Sequence, residues 1–179
     1  MKKAIVISGS GGQGVMSMGI MLAQTAVAQD KCATYLPEYG PEQRGGSAKC
    51  TVVIDDVDII SPLVKNCDIF LALNEQGYKS FINNMAAGGV LIYNSSRVTS
   101  KIARTDITAV AVPADEIANS IESPKAANIV MLGALIEKTG IVSLEAFSAH
   151  LEQKFASKKP IVMEKNRLAL QKGIECAKK

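Results

Sequence analysis

A short apolar run, Lys3 to Ser8, ends in Ser8-Gly9-Ser10-Gly11-Gly12-Gln13-Gly14, where Gly9, Gly11 and Gly14 meet the spacing G-x-G-x-x-G. The chemistry such a loop can perform is anion binding. Glycines permit positive φ and let backbone N–H groups approach a phosphate closely, and a helix starting just beyond adds partial positive charge at its N-terminus. The same glycines would equally serve a tight strand-to-helix turn, and both readings stay open at this stage. A dinucleotide site asks for one thing more, an acidic residue about 20 positions on, at the end of the second strand, to hold a ribose. Glu38 is the candidate near that place, and it stands awkwardly beyond Pro37.

A second stretch, Glu38 to Ala48, reads "EYGPEQRGGSA". Tyr39, Gly40, Pro41, Glu42, Arg44, Gly45 and Gly46 make a loop with a demanding backbone path, in which Arg44 offers a planar fork suited to carboxylate or phosphate. In a doubly wound sheet this loop would share an edge with the first glycine loop.

Other chemistries are poorly supplied. The cysteines, Cys32, Cys50, Cys67 and Cys176, lie far apart with no Cys-x-x-Cys pair, so buried thiols are expected rather than a metal site or an iron–sulfur cluster. His150, the one histidine, falls among Glu145, Glu152 and lysines in a helical pattern, where a surface or packing role is expected. A net charge of +3, lysines alternating with glutamates in the last third, and an aromatic content of 4% argue against nucleic acid as a partner. No apolar stretch is long enough to cross a bilayer. The opening "MKKAIVIS" is too short in its apolar part for a secretory signal, so a cytoplasmic location is expected.

The elements that must hold these loops follow from periodicity. Lys3 to Ser8 reads as a buried first strand, and Val15, Met18, Gly19, Leu22 and Ala26 recur at helical steps, giving a helix from Val15 to about Gln29. Ala33 to Leu36 is a second strand, stopped by Pro37. Ala48 to Ile54 alternates, with Cys50, Val52 and Ile54 on one face, and Asp55-Asp56 is expected to fold Val57 to Ile60 back as a hairpin. Asp68 to Leu73, Val90 to Tyr93 and Thr108 to Val112 complete the strands, with a helix over about Glu75 to Met85. Four helical segments follow: from Pro113 to about Ser120, Ala126 to Thr139, Ser143 to Phe155 and Ile161 to Cys176. The 179 residues thus predict one domain, with an α/β core over 1–112 and a mainly helical part over 113–179. The fold class is a Rossmann-like, mixed but mostly parallel sheet flanked by helices. Apolar helix residues from Ile129 to Ile136 could bury surface against a second copy or a partner, so a homodimer of the isolated chain stays open.

Taken together, "GSGGQGVMSMGIMLAQTA", "YGPEQRGGSAKCTVVID", "SPLVKNCDIFLALN", "GGVLIYNSS" and "NIVMLGALIEKTGIVSLEAF" resemble the gamma subunit of the 2-oxoacid:ferredoxin oxidoreductases over nearly the whole chain. The form Tyr39 to Gly46 looks closest to the 2-oxoglutarate enzymes. The resemblance implies a complex that oxidatively decarboxylates a 2-oxoacid with coenzyme A, using thiamine diphosphate with magnesium and iron–sulfur clusters, and passes electrons to ferredoxin. It places the thiamine site and the clusters on other subunits, with alpha, beta and a candidate delta subunit as partners, and leaves this chain without catalytic residues or a cofactor of its own. Gly9, Gly11, Gly12, Gln13 and Gly14 are then expected to contact coenzyme A, and the Tyr39–Gly46 loop to lie at a subunit interface. A free-standing NAD or FAD oxidoreductase and a purely structural subunit are the alternatives.

Overall fold

The computed structural model describes residues 1–40 and 46–178; the expectations for Pro41, Glu42, Arg44 and Gly45 lie outside the described residues. Six strands form one sheet: β1 (Lys3–Ser10), β2 (Cys32–Tyr39), β3 (Ser47–Asp55), β4 (Cys67–Ala72), β5 (Met85–Asn94) and β6 (Thr108–Val112), in the order β2-β3-β1-β4-β5-β6. β1, β4, β5 and β6 pair in parallel, while β3 runs antiparallel to both β1 and β2. Among the described strands only β3 therefore opposes the common direction. Six α-helices lie among the described residues: α1 (Val15–Val27), α2 (Glu75–Phe81), α3 (Ala114–Ser120), α4 (Ala127–Thr139), α5 (Leu144–Phe155) and α6 (Pro160–Ala177).

β1 is covered on both faces, and its side chains divide between two cores. Ile5 and Ile7 join the larger one, with Met18 and Leu22 of α1 and the apolar side chains of α4 and α6. Ala4 and Val6 join the smaller one, with Phe70, Leu91 and Tyr78 of α2. A strand buried on both sides reads as a continuous apolar run, as this one does.

Two expectations are overturned here. Pro37 does not stop β2, which runs on to Tyr39. The N–H of Gly40 donates to Ser47 O at 2.7 Å, and along the antiparallel register the inward-facing amides of β2 are then those of the even-numbered residues. Pro37 falls on the outward side of an edge strand, where a missing N–H costs no ladder bond and discourages pairing with another chain. The hairpin over Val57 to Ile60 does not form either, and β3 takes β2 as its partner instead.

The apolar run Ile129 to Ile136 offers no face to a second copy, because every one of its residues is buried inside this chain. α4 crosses α6 at two glycines. A Cβ on Gly173 would fall against Val130 O, and one on Gly133 against Leu170 O, each well inside van der Waals contact. The two backbones approach this closely because no side chain separates them.

Candidate functional site

The C-terminal ends of the parallel strands lie along one edge of the sheet, and every connection of interest leaves from it. β1 ends at Ser10, and the chain passes through Gly11 to Gly14 into α1. Gly12 and Gly14 hold φ of +92° and +82°, which explains glycine at both places. Gly9 still belongs to β1, opposite Ala48, and its missing Cβ leaves room for Gln13 Oε1. Gly11 N–H donates to Gly46 O at 2.9 Å, so the two predicted loops meet as expected, at least through their described ends. Tyr39 closes the same rim, 73% exposed, beside a groove shared with Gly12, Gly14 and Ser17.

Among the described residues, not every donor of the loop finds a partner. Gln13 N–H is satisfied by Ser10 O at 3.1 Å, whereas the N–H groups of Gly12 and Gly14 have no partner among the described residues. α1 begins without a side-chain cap at Gly14, so its first-turn amides at Val15, Met16 and Ser17 add to the set. Several N–H groups and a helix N-terminus thus converge on one rim, an arrangement that favours an anion.

Beside this loop, at the switch point between β1 and β4, opens a cleft of about 190 Å³. Gly12, Gln13, Asn94, Arg97, Lys125 and Asn128 are among its lining residues. Asn94 is buried and its Oδ1 accepts from the N–H of Ser96 at 3.2 Å and of Ala114 at 3.1 Å, which leaves the amide nitrogen for a ligand. Arg97 pairs with Asp115, and Lys125 stands exposed at the turn before α4. The predicted site residues supplied the loop alone; Asn94, Arg97, Lys125 and Asn128 come from distant turns with no spacing signal, and sequence reasoning missed them.

A carboxylate ties the start of α2 to the connection between β5 and β6. Glu75 accepts from the hydroxyl and N–H of Ser100 and from Thr99 N–H, and it pairs with Lys79 at 2.9 Å. These bonds, the Ser100 hydroxyl first, hold its pKa down from 4.5 to about 2. A lowered folded pKa contributes stability that is present above 4.5 and lost as pH falls toward 2. Carbon-detected NMR titration should find the Glu75 carboxyl titrating near pH 2, with the amides of Thr99 and Ser100 following it; a midpoint near 4.5 would refute the clamp.

His150 is half-buried on α5 with Nε2 unpartnered, and burial followed by the nearby Lys154 lowers its pKa. Burial pushes the thiols of Cys50 and Cys67 up to about 12 and about 11, unlike the thiolates a cluster requires. Cys32 and Cys176 are only half-buried, short of the burial expected for all four. No group of three His, Cys, Asp or Glu among the described residues could hold a metal ion, and no described helix is long and apolar enough to cross a membrane.

Fold and site together define a Rossmann-like α/β chain whose distinctive surface is an anion-favouring rim. A family model described as pyruvate ferredoxin/flavodoxin oxidoreductase matches residues 4–176. The chain belongs to that family, as a gamma-type subunit. It is 41% identical to 2-oxoglutarate synthase subunit KorC of Methanocaldococcus jannaschii, across 99% of this chain and 95% of the relative. It is 39% identical to ketoisovalerate oxidoreductase subunit VorA of Methanothermobacter thermautotrophicus, where 97% of this chain corresponds to 36% of the relative's length. The solved gamma subunit of a keto/oxoacid ferredoxin oxidoreductase from Geobacter sulfurreducens superposes with a TM-score of 0.82 at 34% identity, covering 98% of each chain.

Proposed function

We propose that this chain is the non-catalytic gamma subunit of a complex that oxidatively decarboxylates a 2-oxoacid with coenzyme A and passes the electrons to ferredoxin. In this reading the thiamine diphosphate with its magnesium and the iron–sulfur clusters sit on alpha, beta and, where present, delta subunits. The rim of this chain receives the phosphates of coenzyme A. 2-Oxoglutarate is the leading substrate, while the nearly equal identities to KorC and VorA leave a branched oxoacid as its competitor.

One observation carries the reading: amides at Gly12, Gly14 and the start of α1, without a partner among the described residues, lie beside a cleft bearing Arg97 and Lys125. Coenzyme A is rich in phosphate, and amides with flanking cations are the groups that hold phosphate. The Tyr39–Gly46 loop, joined to the rim through Gly46, is assigned to the subunit interface, with Arg44 as its charged contact. Arg44→Ala in the assembled complex is expected to impair assembly or to raise the coenzyme A requirement roughly tenfold. Unchanged assembly with an unchanged requirement would remove Arg44 from this role.

A free-standing NAD or FAD oxidoreductase fits less well. β3 stands between β1 and β2, so the end of β2 is displaced roughly 10 Å from the glycine loop's strand. Glu38, the candidate ribose ligand, is paired across the strand with Lys49 at 2.6 Å. Micromolar binding of either dinucleotide to the isolated chain by calorimetry would restore that alternative.

A further inference from the structure

The glycine loop is held in shape by a side chain from another part of the sequence. Asn74 follows β4 and caps α2, its Oδ1 accepting from Gly77 N–H at 2.8 Å. That bond fixes which end of the amide is oxygen, because a backbone N–H can only donate. The amide nitrogen then reaches across to the loop with both of its hydrogens, donating to Ser10 Oγ at 2.7 Å and to Gln13 Oε1 at 3.0 Å. Gln13 is oriented in turn: its Oε1 also accepts from Ser10 N–H at 2.7 Å and its Nε2 donates to Leu73 O at 3.3 Å. Both ends of the turn, Ser10 and Gln13, are therefore tied to the β4–α2 connection.

We infer that Asn74 is a positioning residue for the ligand of this rim: it holds the Ser10–Gln13 turn so that the amides of Gly12 and Gly14 stand open before anything binds. The inference rests on the coenzyme A reading. Its physical content is pre-organisation, because a loop already fixed in its binding shape loses less freedom on binding. Asn74 does not line the cleft, so its effect on binding passes through Ser10 and Gln13.

Asn74→Ser separates the two jobs of this residue. Serine is as good an N-cap as asparagine, so α2 keeps its start, but its short neutral side chain cannot span to Ser10 and Gln13. In the assembled complex the variant should lower the melting temperature by less than Asn74→Ala does and raise the KM for coenzyme A roughly tenfold, because the turn is no longer held in its binding shape, with kcat at saturating coenzyme A little changed. Asn74→Ala, which loses the cap as well, should lower the melting temperature and raise KM similarly. Gly12→Val, with a β-branched residue at φ +92°, tests the underlying site itself. If Gly12→Val raises the KM and Asn74→Ser leaves it alone, the positioning role is overturned while the coenzyme A reading stands. If neither variant moves it, both fall.

Discussion

Reversing the two cations of the cleft, Arg97→Glu with Lys125→Glu, is expected to raise the KM of the assembled complex for coenzyme A by about a hundredfold or more. A hydrogen bond to a charged group contributes about 1.5–3 kcal/mol, so losing two of them costs at least about 3 kcal/mol of binding before any repulsion is counted. At about 1.4 kcal/mol per factor of ten, that exceeds two decades. The fold should survive, because both side chains are substantially exposed and the Arg97–Asp115 pair is a surface pair of small worth. Steady-state kinetics with coenzyme A varied, beside a thermal melt, makes the comparison. A KM within twofold of the parent's would show that the cleft does not meet the phosphates.

Gly173→Ala should lower the melting temperature of the chain by about 6–12 °C. In an open helix the same change would stabilise, since alanine is favoured over glycine by about 1 kcal/mol. Here the added methyl would meet Val130 O, a backbone atom that cannot swing aside, so α6 must move off α4. Overpacking of this kind costs about 3 kcal/mol, and a chain of this length loses about 2–4 °C for each. The sign alone decides the matter, with a rise in melting temperature contradicting the close crossing. The crossing also bears on the site, because α4 carries Asn128 and Met131 into the cleft and α6 fixes where α4 lies.

Much of the fold was legible where a local signal sufficed. Thr108 to Val112 is β6 as read, bounded by Pro113, and Ser143 caps α5 with its hydroxyl accepting from Ala146 N–H. Cys50, Val52 and Ile54 share one buried face of β3, as their alternation predicted. What failed was pairing. Nothing near Pro37 tells that its nitrogen faces an open edge, since that depends on a register set by β3. Val57 to Ile60 carries strand-like residues, yet β2 is the strand that takes β3's free side.

The site divided in the same way. The glycine spacing announced the turn between β1 and α1, because a strand–turn–helix unit is local, whereas the meeting of the two loops was read from the doubly wound sheet. Asn74, Asn94, Arg97, Lys125 and Asn128 reach the rim only because parallel strands deliver their C-terminal ends to one edge. Their spacing along the chain carries no trace of it.

Lysine footprinting of the assembled complex, read by mass spectrometry with and without coenzyme A, tests most directly whether this rim receives that ligand. Lys125 should lose reactivity toward an amine-acylating reagent on saturation, while Lys138, which lines a cleft at the opposite edge of the sheet, should not change. Equal labelling of Lys125 in both states, or protection of Lys138 in its place, would contradict the account.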